Sequence, residues 1–193
     1  MTVETTGLSE TARWLRSLGS LRGTAPSFDL TELPEDPATL FLDWLRAAER
    51  AGVAEPHAAT LATAGADGIP DARTLILKDV GVAGWAFAGP RSSTKAAQLG
   101  FTPAAALNFW WQPLVRAVRI RGPVVEASSS EVEADSAARP GSSGSDDWML
   151  WWIRPVRVEF WQGAVSRNHT RLVYETNGEK WTHRVIGGEG RES

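Results

Sequence analysis

The chain has 193 residues, 42% of them hydrophobic, a formal net charge of −3 and no cysteine. That length fits one domain with ample core. The charge provides no global basic field for nucleic acid, and disulfides, thiolate metal sites and cysteine nucleophiles are ruled out. No apolar run approaches the ~20 residues of a membrane span, and the polar stretch Met1 to Glu10 lacks a signal-peptide core. The expectation is a cytoplasmic protein with neither nucleic-acid nor membrane partners.

Residues 1–35 show no clear periodicity. Trp14, Leu15, Leu18 and Leu21 suggest a short amphipathic helix, and Gly23 to Pro26 reads as a break. Asp36-Pro37 then opens a helix, with Asp as N-cap and Pro in the first turn. Leu40, Leu42, Trp44, Leu45 and Ala48 fit helical spacing loosely, and Gly52 ends it. From residue 57 the pattern turns to strands. Ala58 to Thr63 and Ala72 to Lys78 flank the hairpin signal Ala66-Asp67-Gly68, and Trp85 to Ala88 follows. Ser92-Ser93 starts a short helix, with hydroxyl capping, through Leu99. Ala104 to Trp111 and Val115 to Glu126 read as a long strand pair about Gln112-Pro113. Ser128 to Ala138 is a Ser-capped helix with acidic early turns. Pro140 to Asp147 reads as a mobile loop. Val156 to Trp161, Arg171 to Glu175 and Trp181 to Val185 are strands, the last two joined by Asn177-Gly178. Gly187 to Ser193 is expected to be a disordered tail. Such a series is mainly β with inserted helices, a barrel or closed sheet.

There are ten tryptophans against one tyrosine. Core filling plus a subunit interface accounts for most of them. Trp110-Trp111 and Trp151-Trp152 are adjacent pairs, so in strands each pair puts one ring on each face. Both faces then need cover.

Five segments carry chemistry. In Arg73-Thr74-Leu75-Ile76-Leu77-Lys78 two cations bracket an apolar strand. Parity puts them on opposite faces unless a bulge intervenes, and an edge strand with solvated ends reads equally well. Ser92-Ser93-Thr94-Lys95 places hydroxyls and a lysine at a helix start, a seat suited to phosphate, although Ser at an N-cap is ordinary. Arg116-Ala117-Val118-Arg119-Ile120-Arg121 puts Arg119 and Arg121 on one face. Arg139-Pro140-Gly141-Ser142-Ser143 suits a second phosphate, or nothing at all. Finally Glu159-Phe160-Trp161-Gln162-Gly163 precedes Arg167-x-His169-x-Arg171. In an extended segment those three alternate residues share a face and point at one anionic aromatic ligand, with Trp161 as a flat wall.

In this order the segments resemble the pyridoxamine 5'-phosphate oxidase family, over roughly 33–186. The resemblance implies an FMN-binding split β-barrel domain over 33–186, a partly disordered N-terminal extension over 1–32, and a homodimer with FMN at the subunit interface. By resemblance, Arg73, Thr74, Leu75, Ile76, Leu77 and Lys78 form the strand that wraps FMN. Ser93, Thr94 and Lys95 lie at its phosphate, and Trp161 and Arg171 make further FMN contacts. Lys78, Arg139 and Ser143 match residues holding a substrate phosphate, and Arg167 and His169 match the catalytic pair covering the substrate ring. The implied reaction is hydride transfer from pyridoxamine or pyridoxine 5'-phosphate to flavin N5, with reoxidation by oxygen.

The chain also departs from that pattern. Thr94 replaces an arginine, Ala117 a glutamine, Asp135 a tyrosine at the substrate phosphate, and Ala88-Gly89 an aromatic-hydroxyl pair. A segment of roughly two dozen residues after Ser143, judged against single-domain size, is largely missing, so the C-terminal half is shortened. Three readings follow: an oxidase of the B6 phosphates, an FMN-dependent oxidoreductase of the same family acting on a different small molecule (secondary metabolism), and a non-catalytic protein binding FMN or pyridoxal phosphate.

Overall fold

The computed structural model describes residues 7–138, 147–178 and 180–188. Within them lie helices α1 (Glu10–Ser17), α2 (Pro37–Arg50), α3 (Thr94–Phe101) and α4 (Ser129–Ala137). The strands are β1 (Ala58–Ala64), β2 (Pro70–Gly81), β3 (Gly84–Pro90), β4 (Ala104–Trp111), β5 (Arg116–Glu126), β6 (Trp148–Ile153), β7 (Arg157–Gln162), β8 (Thr170–Thr176) and β9 (Trp181–Ile186). A 3-10 turn over Gln112–Leu114 joins β4 to β5. None of these helices is long and apolar enough to cross a membrane.

The strands run in the order β4-β1-β2-β3-β6-β5-β7-β8-β9, all antiparallel, and a further β4–β5 pairing closes the first six into a barrel. β5 makes this possible by changing partner along its length. Arg116 to Arg121 pair with β7, and Val124 to Glu126 pair with β6. Gly122 sits at the switch, where a Cβ would lie 2.0 Å from the Arg154 carbonyl oxygen. Only glycine admits that approach.

The α2 N-terminus is set as its sequence predicts: the Asp36 carboxylate accepts from the Ala38 N–H at 2.8 Å. Its buried face is Pro37, Ala38, Phe41, Trp44 and Ala48, whereas Leu40, Leu42 and Leu45 are only partly buried. This corrects the expected stripe, and the 3–4 spacing is regular once Phe41 is included. Phe41 contacts Trp85, Phe109 and Trp111, and Trp44 packs edge-on to Phe160, so α2 lies against the barrel core.

Both tryptophan pairs divide between faces as expected. Trp111 is buried and donates to the Pro56 carbonyl, while Trp110 stays 46% exposed beside Trp161. Trp151 stacks on Phe87 in the core. Trp152 faces outward to α4 and donates to Glu131, whose carboxylate also closes a capping box with Ser128. Strand β6, which carries the second pair, is not among the elements expected from sequence. The short helix anticipated around Trp14 is α1, and none of its residues is buried.

Candidate active site

Three clusters hold the residues singled out by sequence. The first lies at the barrel end under α3. Arg73 shares the inward parity of Leu75 and Leu77 on β2, opposite Leu61 of β1. Its guanidinium donates to Thr63 Oγ1 at 2.5 Å, Asp71 Oδ2 at 2.7 Å and Gln98 Oε1 at 2.9 Å. Lys95, in the first turn of α3, holds its Nζ 3.3 Å from Ser93 Oγ and 5.9 Å from the Trp151 ring centroid. Gly89 leaves room for that ammonium, since a Cβ there would meet Nζ at 2.0 Å. Burial first, and then the Arg73 charge, push Lys95 below the ordinary lysine value. A half-buried lysine whose charge is opposed by a neighbouring arginine forms a seat that a bound anion would relieve, and a phosphate fits this donor set. Asp71, Thr63 and Gln98, which hold Arg73, were not anticipated. Asp71 is legible as Arg73's same-face neighbour two residues away, whereas Gln98 arrives only through the docking of α3. Ser93 is the N-cap residue, but its hydroxyl donates to the Pro90 carbonyl rather than capping α3, a correction to the expected role. Thr94 is exposed at the first position of α3.

The second cluster lies on the outer face of β5, β7 and β8. Trp161 stands opposite Ala117 on one side and Arg171 on the other. Ala117, Arg119, Glu159, Trp161 and Arg171 line a cleft of about 230 Å3. The Trp161 ring lies between Trp110 at 5.9 Å and His169 at 4.9 Å. His169 Nδ1 accepts a 3.0 Å bond from the Ala164 N–H. The neutral ring therefore carries its proton on Nε2 and presents it as a donor.

Arg167 departs from expectation. It is not in a strand: its φ is 68°, in a turn where the His169 N–H bonds the Arg167 carbonyl, and β8 begins only at Thr170. Arg167, His169 and Arg171 therefore do not share a strand face. The Arg167 guanidinium instead donates to Ser20 Oγ at 3.4 Å, next to the point where Leu21 reaches Gly163. Gly163 is required there, because a Cβ would fall 2.6 Å from Val115 and 2.7 Å from the Trp161 ring.

The third cluster surrounds Lys78. The β2–β3 register shifts between Leu77 and Asp79, so Lys78 occupies a bulge. Its Nζ lies 3.3 Å from Asp135 Oδ1 on α4 and 5.9 Å from the Trp148 ring centroid. Asp135 Oδ2 also accepts a 2.7 Å bond from Trp148 Nε1. Of the rest of the motif, Leu77 is buried, Leu75 packs on the core, and Thr74 and Ile76 take the outward parity. Arg139 and Ser143 lie outside the described residues.

The barrel is matched by solved structures. PhzG from Burkholderia lata, in complex with tetrahydrophenazine-1-carboxylic acid, superposes with a TM-score of 0.79 over 86% of this chain and 100% of that one, at 23% identity. An FMN-binding protein related to pyridoxamine 5'-phosphate oxidase from Nostoc punctiforme gives 0.67 over 81% and 100%, at 17% identity. These likenesses define the fold as a split β-barrel. The pyridoxamine 5'-phosphate oxidase profile matches residues 45–162, and that of the pyridoxine 5'-phosphate oxidase C-terminal dimerisation region matches 148–186. The pyridoxine/pyridoxamine 5'-phosphate oxidase of Azorhizobium caulinodans is 40% identical, covering 73% of this chain and 84% of its own. That of Thermosynechococcus vestitus is 34% identical, covering 78% and 88%. The chain belongs to the pyridoxamine 5'-phosphate oxidase family, a family of FMN-dependent oxidoreductases.

Proposed function

We propose that this chain is an FMN-dependent oxidase that removes a hydride from a small cyclic substrate and works as a homodimer. The observation that carries this is the Arg73–Lys95 pair at the α3 end of the barrel, where the Arg73 charge opposes that of Lys95 and no carboxylate among the described residues pairs with Lys95. Arg73, Lys95 and the Ser93 hydroxyl would hold the FMN phosphate. Thr74, Leu75, Ile76 and Leu77 would run beside the cofactor, and Trp161 and Arg171 would contact it. When bound, FMN supplies the hydride acceptor and the route to oxygen. His169 offers its Nε2–H to an oxygen or nitrogen of the substrate, and Trp161 holds the imidazole plane. Arg167 brings a cation to the same turn and orients the substrate against it.

The two ligand-facing groups lie on opposite sides of the sheet: Arg73 with the inward residues, Trp161 and Arg171 with the outward ones. One FMN touching both sets draws them from two subunits. The match of 148–186 to a dimerisation region supports that arrangement.

The test is the absorption spectrum of purified, FMN-reconstituted protein, followed by anaerobic addition of pyridoxamine 5'-phosphate, the substrate class in the names of the curated relatives. A chain that takes up no flavin overturns the proposal. Flavin bleaching supports it and identifies a substrate. Flavin uptake without bleaching leaves the cofactor assignment standing and moves the search to other substrates. Arg167→Ala is expected to slow flavin reduction by about tenfold or more while leaving FMN in place, since it acts on substrate geometry.

A further inference from the structure

Trp110 is a large apolar side chain left 46% exposed on the outer sheet face, beside two residues that line the cleft there, Ala117 and Trp161. All three belong to one register row. Trp110 on β4 stands opposite Ala117 on β5, Ala117 opposite Trp161 on β7, and Trp161 opposite Arg171 on β8. Residues directly opposite one another share a face. Neighbouring strands lie about 4.7–4.9 Å apart, so the Trp110 and Trp161 backbones, with β5 between them, stand roughly 9–10 Å apart. The two indole centroids are only 5.9 Å apart, at an interplanar angle of 54°. The rings therefore lean toward each other over Ala117, which sends up only a methyl group. The glutamine of the family pattern would put a long side chain between them. The Trp161 ring also meets His169 at 4.9 Å.

We propose that Trp110 is a positioning residue for the cofactor: reaching over Ala117, it holds the Trp161 indole against His169, so that a bound flavin meets that indole in one orientation. This rests on the FMN reading above and deepens it. Trp110 acts through Trp161 rather than on the ligand, since the cleft is lined by Ala117, Arg119, Glu159, Trp161 and Arg171 and not by Trp110. An indole held by His169 alone is free to turn about its side-chain bonds. Fixing it before the ligand arrives removes that ordering cost from binding. Ala117 and Trp110 then form one device, in which the short residue opens the gap and the large one uses it.

The experiment compares the unaltered chain with Trp110→Leu, Trp161→Leu, the double variant and Ala117→Gln. Two quantities are read on each. The first is the far-ultraviolet circular dichroism couplet of paired indoles, taken on flavin-free protein. The second is the FMN dissociation constant by equilibrium dialysis. The couplet should be present in the unaltered chain and lost in all the variants. Trp110→Leu and Ala117→Gln should each weaken FMN binding by about threefold to tenfold, the share that one aromatic pair accounts for. The double variant should bind FMN no more weakly than Trp161→Leu alone, because Trp110 then has nothing to hold. Trp110→Phe, which keeps a ring, should recover most of the affinity. The proposal is overturned by a missing couplet in the unaltered chain, by full FMN affinity in Trp110→Leu, by losses that add in the double variant, or by tighter FMN binding in Ala117→Gln. If the unaltered chain takes up no flavin, the cofactor reading has failed and the proposal falls with it. If flavin binds and one of those results appears, the proposal alone has failed. Should Ala117→Gln fail to fold, the Trp110 variants decide, since that side chain is half in water and its loss leaves the core intact.

Discussion

Lys95 and Arg116 are both cations withdrawn from water, and the chain treats them differently. Arg116 is 4% exposed, and burial pulls it down to about 10. It is nonetheless fully engaged: its guanidinium lies 4.0 Å from the Trp44 ring centroid and donates to Gln162 Oε1 and the Ser27 carbonyl. Neutral acceptors and an aromatic face make it a structural clamp between β5, α2 and the N-terminal segment. Arg116→Met should destabilise the fold by about 2–4 kcal/mol, through the lost cation–π contact and the orphaned acceptors. Arg116→Lys should recover little of that, because the ammonium cannot stack as a plane. Urea unfolding of the two variants checks both. Among the described residues Lys95 makes one long hydrogen bond, to Ser93, and a distant contact with the Trp151 ring, and its charge is opposed by Arg73. Lys95→Ala should weaken FMN binding by about tenfold or more, read by quenching of flavin fluorescence; full FMN retention would sink the assignment. The pH dependence follows from the same shift. Lys95 loses its proton below the ordinary 10.5. Phosphate binding needs that proton, so FMN affinity should fall as pH rises through the lowered value, and Lys95→Arg should move the fall to higher pH.

Between strands, the outer sheet is laced by one charge ladder, Arg119–Glu159–Arg157–Glu175–Arg184, crossing β5, β7, β8 and β9. Burial alone would raise the Glu159 carboxyl. The bonds from Arg119 and Arg157, at 2.6 and 3.0 Å, overcome it and leave the group below its ordinary 4.5. The stability that this shift confers is present above the ordinary value and is lost as pH falls through the lowered one. Glu159→Gln should therefore flatten the acid limb of a stability-against-pH curve and cost about 1–3 kcal/mol at neutral pH. Strands were legible in sequence where local signals bound them: Asn177-Gly178 for β8 and β9 of the ladder, Ala66-Asp67-Gly68 for β1 and β2. Ser128 and Asp36 announced α4 and α2 in the same way. Strand β6 was not, because Trp148 to Ile153 is apolar on both faces and shows no alternation. The Arg167 turn was hidden too: no Gly or Asn marks its left-handed residue, so period-two spacing misled. Lys78 and Asp135 were each visible, but their pairing depends on α4 docking over the bulge, which no local pattern encodes.

At the scale of the whole molecule, the outer barrel face carries two adjacent rows of small side chains over β2, β1 and β4. Ala72, Ala62 and Ala106 form one register row over β2, β1 and β4, and Thr74, Thr60 and Asn108 form the next. Ala72, Thr74 and Thr60 are exposed and the others in the rows half-buried, so no element among the described residues seals this face. On the proposed reading a second copy covers this face, and the residues assigned to FMN on the two sides of the sheet then come from two subunits. Ala106→Arg, placed in the middle of the face, should give a monomer by sedimentation equilibrium and lose FMN with it, whereas a flavin-loaded monomer would refute the shared site. The sharper test is complementation. Lys95→Ala and Trp161→Ala should each bind FMN poorly. If every site takes Lys95 from one subunit and Trp161 from the other, a heterodimer of the two variants contains one site with both residues intact. Random pairing after co-expression in equal amounts makes half the dimers mixed, with one good site in two, so about a quarter of all sites should recover. If both residues belonged to the same site within one subunit, every site would still carry a defect and no mixture would recover FMN. The flavin content of the co-expressed protein against its two parents thus separates a shared site from a private one.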